Sequence, residues 1–245
     1  MSEFKIEKHH SKHFRDRIGK IEYIIIHCSI YEPLKNMKIL DDLGLSAHYI
    51  IGRDGRIIEN LCPSKVAYHA GVSSWNGSID KSLNENSIGI ELEAPNLGQD
   101  KKDFTIKQIK GLLWLLNMLV VSYNIDKQKI LGHSDIAPSR KADPGCMFPW
   151  KKLANFGFGV WFDLRKLSRN RNEIELLKRI GYDVSNLSAC RYAFCRHFFQ
   201  DEVVVENDVF RLINSPYIED FTPKDFNKYC KILRAVAFNF DKKDL

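Results

Sequence analysis

The sequence predicts an α/β (α+β) fold, in which a central mixed β-sheet flanked by helices is followed by a small all-α domain. Short β-branched runs alternate with one long helical segment before Trp161, and only helical patterns follow it. The polar, basic stretch 162–171 separates the two regions. With 245 residues, of which 44% are hydrophobic, the chain is long enough for one sizeable domain, or for one domain plus a small partner, and is not intrinsically disordered.

Four segments carry strand patterns. The near-continuous apolar run 21–28 predicts a buried central strand. Residues 47–60 predict a hairpin, because two β-rich runs flank Asp54-Gly55. Residues 87–93 alternate, which predicts a half-buried strand with Glu91 and Glu93 on its second face. Residues 129–133 predict a short strand that leads into a long loop, 134–150, and such loops are usually functional.

Helical patterns complete the prediction. Thr105 and Gln108 form a capping-box pattern that opens a helix ending near Tyr123. In the C-terminal region, 172–180 and 187–199 have helical periodicity, and Thr222-Pro223 is expected to begin the last helix. This gives three or four helices in the small domain.

Composition limits partners and location. The net charge is +6 with no block of like charge, so an anionic substrate is expected and nucleic acid is not. No apolar run reaches the roughly 20 residues that span a bilayer. Because the N-terminus lacks a signal segment and the six cysteines form no CxxC pair, we expect a cytoplasmic protein with reduced thiols. Periplasmic or secreted location by another route is the alternative.

Three separated residues suggest a metal site. His27 and His133 end predicted strands, and Asp143 precedes Pro144-Gly145 in the long loop. Two histidines plus one carboxylate, with water in the fourth position, form a typical catalytic zinc set. Glu91 is a candidate general base and Lys141 a candidate oxyanion partner. The spacing alone leaves open that each is an ordinary core or surface residue.

The order of several motifs identifies a resemblance. The segments IIIHCS, SAHYIIGRDGRI, AYHAGVSSWNG, NSIGIELE and GHSDIAPSRKADPGCMFPW resemble the zinc-dependent N-acetylmuramoyl-L-alanine amidases, specifically the amidase-2 branch that recycles or trims peptidoglycan. The resemblance covers about residues 20–162. It implies one Zn²⁺ per chain, held by His27, His133 and Asp143, with Glu91 and Lys141 catalytic. It also implies that His69 and Trp75 line the substrate groove.

The resemblance further implies the substrate. The expected reaction is hydrolysis of the amide between N-acetylmuramic acid, or its 1,6-anhydro form, and L-alanine in peptidoglycan fragments or muropeptides. The alternative is a non-catalytic peptidoglycan-recognition module on the same fold. An unrelated zinc peptidase would need an HExxH motif, which is absent. Cys146 is not expected to bind metal, and histidines 9, 10, 13, 48 and 197 are expected to be structural or exposed.

Two domains are expected, an amidase domain at 1–165 and a helical domain at 170–245 similar to peptidoglycan-binding domains. Truncation near Leu167 is expected to leave a folded fragment that retains activity on small muropeptides and loses affinity for polymer. If the helices instead cover the amidase core, the fragment should expose a hydrophobic patch and aggregate. The oligomeric state is not predicted.

Overall fold

A six-stranded mixed sheet forms the centre of the protein, as predicted. The structure is a computed structural model that describes residues 4–77 and 82–241. The strand order is β1-β5-β4-β7-β3-β8, and β2 pairs with β6 in a separate two-stranded sheet. The strands are β1 (Ile6–Lys8), β2 (Phe14–Asp16), β3 (Tyr23–Ser29), β4 (Tyr49–Ile51), β5 (Ile57–Glu59), β6 (Lys65–Ala67), β7 (Ser87–Glu93) and β8 (Ile130–Gly132).

Helices cover both faces of this sheet and form the C-terminal region. They are α1 (Pro33–Asp42), α2 (Ile106–Tyr123), α3 (His133–Ile136), α4 (Trp150–Asn155), α5 (Glu173–Ile180), α6 (Leu187–Phe198), α7 (Val209–Asn214) and α8 (Phe226–Ala237). No helix in the described ranges is both long and apolar enough to cross a bilayer. All six cysteines are free thiols.

The two central strands bring the site together. β3 runs parallel to both β7 and β8. In this register His27 pairs with Glu91, and Ile26 pairs with Gly132, the residue before His133. Because paired residues of neighbouring strands project to the same face, three predicted site residues meet at one end of the sheet.

The two sheet faces have different coverings. Ile24 and Ile26 of β3 belong to the hydrophobic cluster that contains α2. Tyr23 and Ile25, on the other face, belong to a cluster with the C-terminal helices. Met37 of α1 packs with Ile50 and Ile58 of β4 and β5. By strand alternation the face of Tyr23 and Ile25 is also that of His27, so α1 and the C-terminal helices stand on the site face.

The strand predicted at 87–93 forms, and its second face is more buried than the pattern indicated. α2 covers Ile88, Ile90 and Leu92, and on the opposite face Ser87 and Gly89 are also buried. Glu91 and Glu93 are partly exposed on that second face, as expected.

The His133 region also differs from prediction. The strand ends at Gly132, and His133 begins a one-turn helix within what was predicted to be loop. The turn is stabilised by the Asp135 carboxylate, which accepts the Gly132 N–H at 2.7 Å. The remainder of 137–149 has no regular helix or strand.

The last helix begins later than predicted. α8 starts at Phe226 with Asp225 as its N-cap, and its carboxylate accepts the Lys228 N–H. Thr222-Pro223 lies outside the helix because the Glu202 carboxylate accepts the N–H groups of Lys224 and Asp225, at 2.6 and 3.1 Å. A tertiary contact thus overrides an N-cap signal.

The helical region is docked onto the sheet. Residues 162–171 contain no helix or strand. One hydrophobic cluster nevertheless combines Tyr23, Ile25 and Leu131 of the sheet with Leu177 and Phe194 of the helices. We call residues 172–241 the helical unit. It shares its core with the rest of the protein.

Candidate active site

His27, His133 and Asp143 converge as the sequence predicts. One potential ligand atom from each lies within 4.8 Å of the others. His27 Nδ1 is 2.9 Å from His133 Nδ1 and 3.2 Å from Asp143 Oδ2, and His133 Nδ1 is 3.1 Å from the same oxygen. Two imidazole nitrogens and one carboxylate oxygen at this separation form a candidate metal centre. Cys146 is not part of this group.

Backbone contacts fix the positions of His133 and Asp143, the two candidate ligands that follow β8. The Ser134 N–H donates to the Asp143 carbonyl at 2.9 Å, which closes the loop between His133 and Asp143. Asp143 joins Pro144 through a cis peptide bond. Gly145 has φ +90°, and a Cβ there would lie 2.3 Å from the Leu97 carbonyl oxygen, so only glycine allows this close approach.

The protonation states suit metal binding. Burial and the neighbouring His133 lower the pKa of His27 to about 4, so its imidazole is neutral at pH 7. Burial raises the pKa of Asp143, but His133 and His27 outweigh it and hold that pKa well below its usual value. A neutral imidazole and an ionised carboxylate are the forms that coordinate a cation.

The second nitrogen of each histidine is held by an outer partner. His27 Nε2 lies 2.9 Å from His69 Nδ1, His69 Nε2 lies 3.2 Å from Ser87 Oγ, and the Ser87 hydroxyl donates to the Leu83 carbonyl at 2.5 Å. This series of hydrogen bonds ends on the Leu83 carbonyl, which can only accept. Each donor in the series therefore points in the same direction, from His27 towards Leu83. His133 Nε2 lies 3.2 Å from the Ala70 carbonyl.

Glu91, the candidate general base, lies next to His27 on the neighbouring strand. It pairs with His27 across the β3–β7 ladder. Burial and the charge of Asp143 raise its pKa to about 8, while Lys141 and Asn36 lower it. Glu91 Oε2 and Asn36 Nδ2 are buried and have no hydrogen-bond partner within the described ranges. The Asn36 amide is therefore close enough to favour the ionised form of Glu91 without forming a hydrogen bond of normal geometry.

Lys141 contributes positive charge to the same cluster. Its charge lowers the pKa of both Glu91 and His27, so it acts on the base and on one ligand. The Lys141 N–H donates to the Ala137 carbonyl at 3.0 Å, which fixes its backbone just after α3. The structure thus brings together all five predicted metal and catalytic residues.

The two residues predicted to line the groove lie in different places. His69 contacts His27 directly, through the hydrogen-bond chain described above. Trp75 is only 5% exposed, and its ring packs on Tyr182 of the helical unit with centroids 4.9 Å apart. Trp75 therefore belongs to the contact between sheet and helices in this structure, and its predicted contact with substrate stays a prediction.

The comparison with known proteins decides the family. Residues 17–146 match the Amidase_2 family, described as N-acetylmuramoyl-L-alanine amidase. The chain belongs to this family. It is 33% identical to the N-acetylmuramoyl-L-alanine amidase AmiD of Escherichia coli, over 67% of this chain and 68% of that protein. It is 42% identical to the 1,6-anhydro-N-acetylmuramyl-L-alanine amidase AmpD of Haemophilus influenzae, over 45% of this chain and 57% of that one.

Solved structures extend the likeness of this amidase to the helical unit. The E. coli AmiD complex with the substrate anhydro-N-acetylmuramic acid-L-Ala-D-γ-Glu-L-Lys superposes with TM-score 0.69 at 24% identity, covering 92% of this chain and 97% of that one; at that identity it supports the fold alone. AmpDh3 of Pseudomonas aeruginosa in complex with anhydromuramic pentapeptide gives TM-score 0.70 at 25% identity, covering 91% and 93%.

Several residues around the amidase site were not predicted. Ser87 and Asn36 do not belong to any local pattern, since they act through partners distant in sequence. Gly89 is the one available signal: a Cβ there would lie 2.5 Å from Cγ of His69, so the glycine in SIGIELE makes room for that ring. Asp135 lies inside the specific GHSDIAP motif but was not assigned a role.

Proposed function

We propose that this chain hydrolyses the amide between N-acetylmuramic acid, or its 1,6-anhydro form, and L-alanine of peptidoglycan stem peptides. The observation that carries the proposal is the convergence of His27, His133 and Asp143 beside Glu91, in a chain of the amidase family. A role in cell-wall recycling or remodelling follows from this substrate.

Zinc is the metal that fits this set of residues best. Two imidazoles and one carboxylate leave a position open for water, as in other catalytic zinc sites. The outer nitrogens of both histidines already have partners, which aims each Nδ1 at the cluster. When bound, zinc supplies an acidified water and polarises the scissile carbonyl. One ion per chain is expected.

Glu91 and Lys141 carry the remaining chemistry. Glu91 takes the proton of the attacking water and passes it to the leaving amine of L-alanine. A carboxylate with a raised pKa is suited to both steps, because it accepts and releases a proton near neutral pH. Lys141 places a positive charge where the oxyanion of the tetrahedral intermediate develops.

The substrate class is supported by the relatives. AmiD and AmpDh3 were each solved with an anhydromuramyl peptide, and AmpD is named for the 1,6-anhydro sugar. We extend to this chain the recognition of such fragments, with His69 and Trp75 as groove residues. We further propose that residues 1–165 form the amidase domain and that residues 170–245 form a peptidoglycan-binding-like domain. The compartment stays a prediction, with the cytoplasm expected and export the alternative.

Product analysis tests the activity directly. Purified anhydromuropeptides and intact sacculi are incubated with the protein, with and without a chelator, and products are identified by mass spectrometry. We expect release of free stem peptide, loss of release with chelator, and recovery on adding zinc. Peptide release that is fully resistant to metal removal would contradict the zinc assignment. Binding without cleavage would favour the alternative, a non-catalytic recognition module.

A further inference from the structure

A buried carboxylate joins the His133 turn to the helical unit. Asp135 Oδ1 accepts the Tyr182 hydroxyl at 2.7 Å, and Oδ2 accepts His197 Nδ1–H at 2.8 Å and the Gly132 N–H at 2.7 Å. Tyr182 and His197 belong to the helical unit, whereas Gly132 and Asp135 flank the ligand His133. One side chain is thus bonded to both parts of the protein.

This network depends on docking of the two parts. Asp135 is 1% exposed, and Tyr182 and His197 are 3% exposed each. A carboxylate buried this deeply is costly unless its oxygens are hydrogen-bonded. Two of its three donors are provided by the helical unit, so the carboxylate is satisfied only when that unit is in place. The His197 ring also stacks on Trp150, the first residue of α4, with centroids 3.9 Å apart. This contact fixes the position of the ring.

The network acts on the ligand through a short, rigid path. Gly132 and Asp135 are the residues immediately before and two after His133. Holding the Gly132 N–H fixes the point where β8 becomes α3. Between these two residues, the Ser134 N–H donates a hydrogen bond to the backbone carbonyl of Asp143, the other candidate ligand in this region. The turn that aims His133 is therefore anchored at both ends, once to Asp143 and once to the helical unit.

Packing alone does not explain a carboxylate here. The surrounding contact is apolar, with Ile136 and Ala137 beside Leu177 and Phe194 in one cluster. An apolar side chain in place of Asp135 would bury similar surface without needing three donors. Hydrogen bonds to an ionised group are directional and strong, and they specify one arrangement.

We propose that Asp135 is a positioning residue, through which Tyr182 and His197 of the helical unit set the orientation of the metal ligand His133. The helical unit is then part of the scaffold of the active site, in addition to any contact with polymer. This inference rests on the proposed function for its catalytic readout, but its metal-binding readout is independent of turnover.

Tyr182→Phe provides the sharpest test, because it removes one hydroxyl and keeps the ring. The matched control is Tyr229→Phe, which removes a buried hydroxyl donated to Glu173 at 2.8 Å within the same unit, away from the His133 turn. Zinc affinity is measured by competition with a chelator on the full chain. We expect the zinc dissociation constant of Tyr182→Phe to rise by about tenfold, the low end of the range for losing a direct partner of a metal ligand, because Tyr182 acts through Asp135.

Kinetics and a second variant complete the test. In Tyr182→Phe, kcat should fall while KM changes little, whereas Tyr229→Phe should keep wild-type zinc affinity and kcat even where its thermal stability drops. Asp135→Asn should lose more affinity than Tyr182→Phe. Wild-type zinc affinity in Tyr182→Phe would overturn the proposal, as would equal losses in both tyrosine variants. His133→Ala tests the metal site itself: if it keeps zinc, the proposed function fails independently.

Discussion

At the scale of single residues, each of the two candidate histidine ligands has one nitrogen at the candidate metal centre and the other at a neighbouring group. His27 presents Nδ1 to the cluster and Nε2 to His69. The convergence of His27, His133 and Asp143 could be predicted, because His133 and Asp143 stand in one specific motif and His27 ends the central strand. The partners Ser87 and Leu83 were not, since their contacts depend on how β7 lies against the segment around His69.

Glu91→Gln separates chemistry from metal binding. The amide keeps the shape of the side chain and cannot act as a base, so kcat should fall about 10²-fold or more with zinc still bound. The matched control is Glu93→Gln, because the Glu93 carboxylate on the same strand accepts the Arg53 N–H at 3.0 Å and has no proposed catalytic role. Steady-state kinetics and metal analysis give the result. An unchanged kcat in Glu91→Gln would show that another group takes the proton.

Gly89→Ala tests the contact between His69 and His27. The new Cβ would lie 2.5 Å from Cγ of His69, so the ring must move away from its present position. We expect kcat and zinc affinity each to fall by about tenfold, because an outer partner of a ligand is displaced. Gly19→Ala is the control, since its Cβ would meet only the Glu85 carbonyl at 4.0 Å. Equal kinetics in the two variants would exclude a role for the contact.

At the scale of elements, long periodic segments and the hairpin around Asp54-Gly55 were predictable, whereas α1 and several short strands were not. The helix from Thr105 to Tyr123 and the central strands match their patterns because apolar periodicity is sustained over many residues. Strands β1, β2 and β6 have three residues each, too few to show a period. The start of α8 was wrong because Glu202, distant in sequence, decides it.

His48 shows how a single imidazole links elements. Its Nδ1 accepts the Gly89 N–H at 3.0 Å, and its Nε2 lies 3.1 Å from the Lys65 carbonyl, so it joins β7 to the start of β6. Burial lowers its pKa to about 3. Between about pH 6.5 and 3 the unfolded chain therefore binds one more proton at this residue than the native protein does, and stability falls as pH falls.

His48→Gln should remove this pH dependence, because glutamine can accept and donate similar bonds but does not titrate. Below about pH 6.5, the free energy of unfolding should fall with pH less steeply than in the wild type, by about 1.4 kcal/mol per pH unit. Denaturant titrations at several pH values, with chelator present in both proteins, measure the difference. Parallel pH profiles would show that His48 is not buried in its neutral form.

At the scale of the whole molecule, the sheet and the helical unit share one hydrophobic cluster. The sequence indicated amphipathic helices after residue 170 but could not indicate what their apolar faces cover. In the structure they cover Tyr23, Ile25 and Leu131, on the sheet face that carries the site. This favours the second of the two expected results of truncation over the first.

A fragment ending at Leu167 should therefore expose a large apolar surface. We expect it to aggregate or to bind a hydrophobic dye, and to retain little zinc, because the Asp135 donors Tyr182 and His197 are lost. Light scattering, dye fluorescence and metal analysis on the fragment and on the full chain measure these effects. A monomeric fragment with wild-type turnover on small muropeptides would restore the accessory-domain interpretation.

The pairing of β3 with β7 makes the candidate site depend on a single strand register. His27 lies opposite Glu91 only in the native register, and a slip of one residue would turn every β7 side chain to the other face. Glu91 would then enter the apolar layer beneath α2, and Ile90 or Leu92 would face the metal ligands. An error in strand alignment thus abolishes catalysis and solubility at once. A copy folded in the wrong register would therefore lose the candidate site and the packing of its central sheet together.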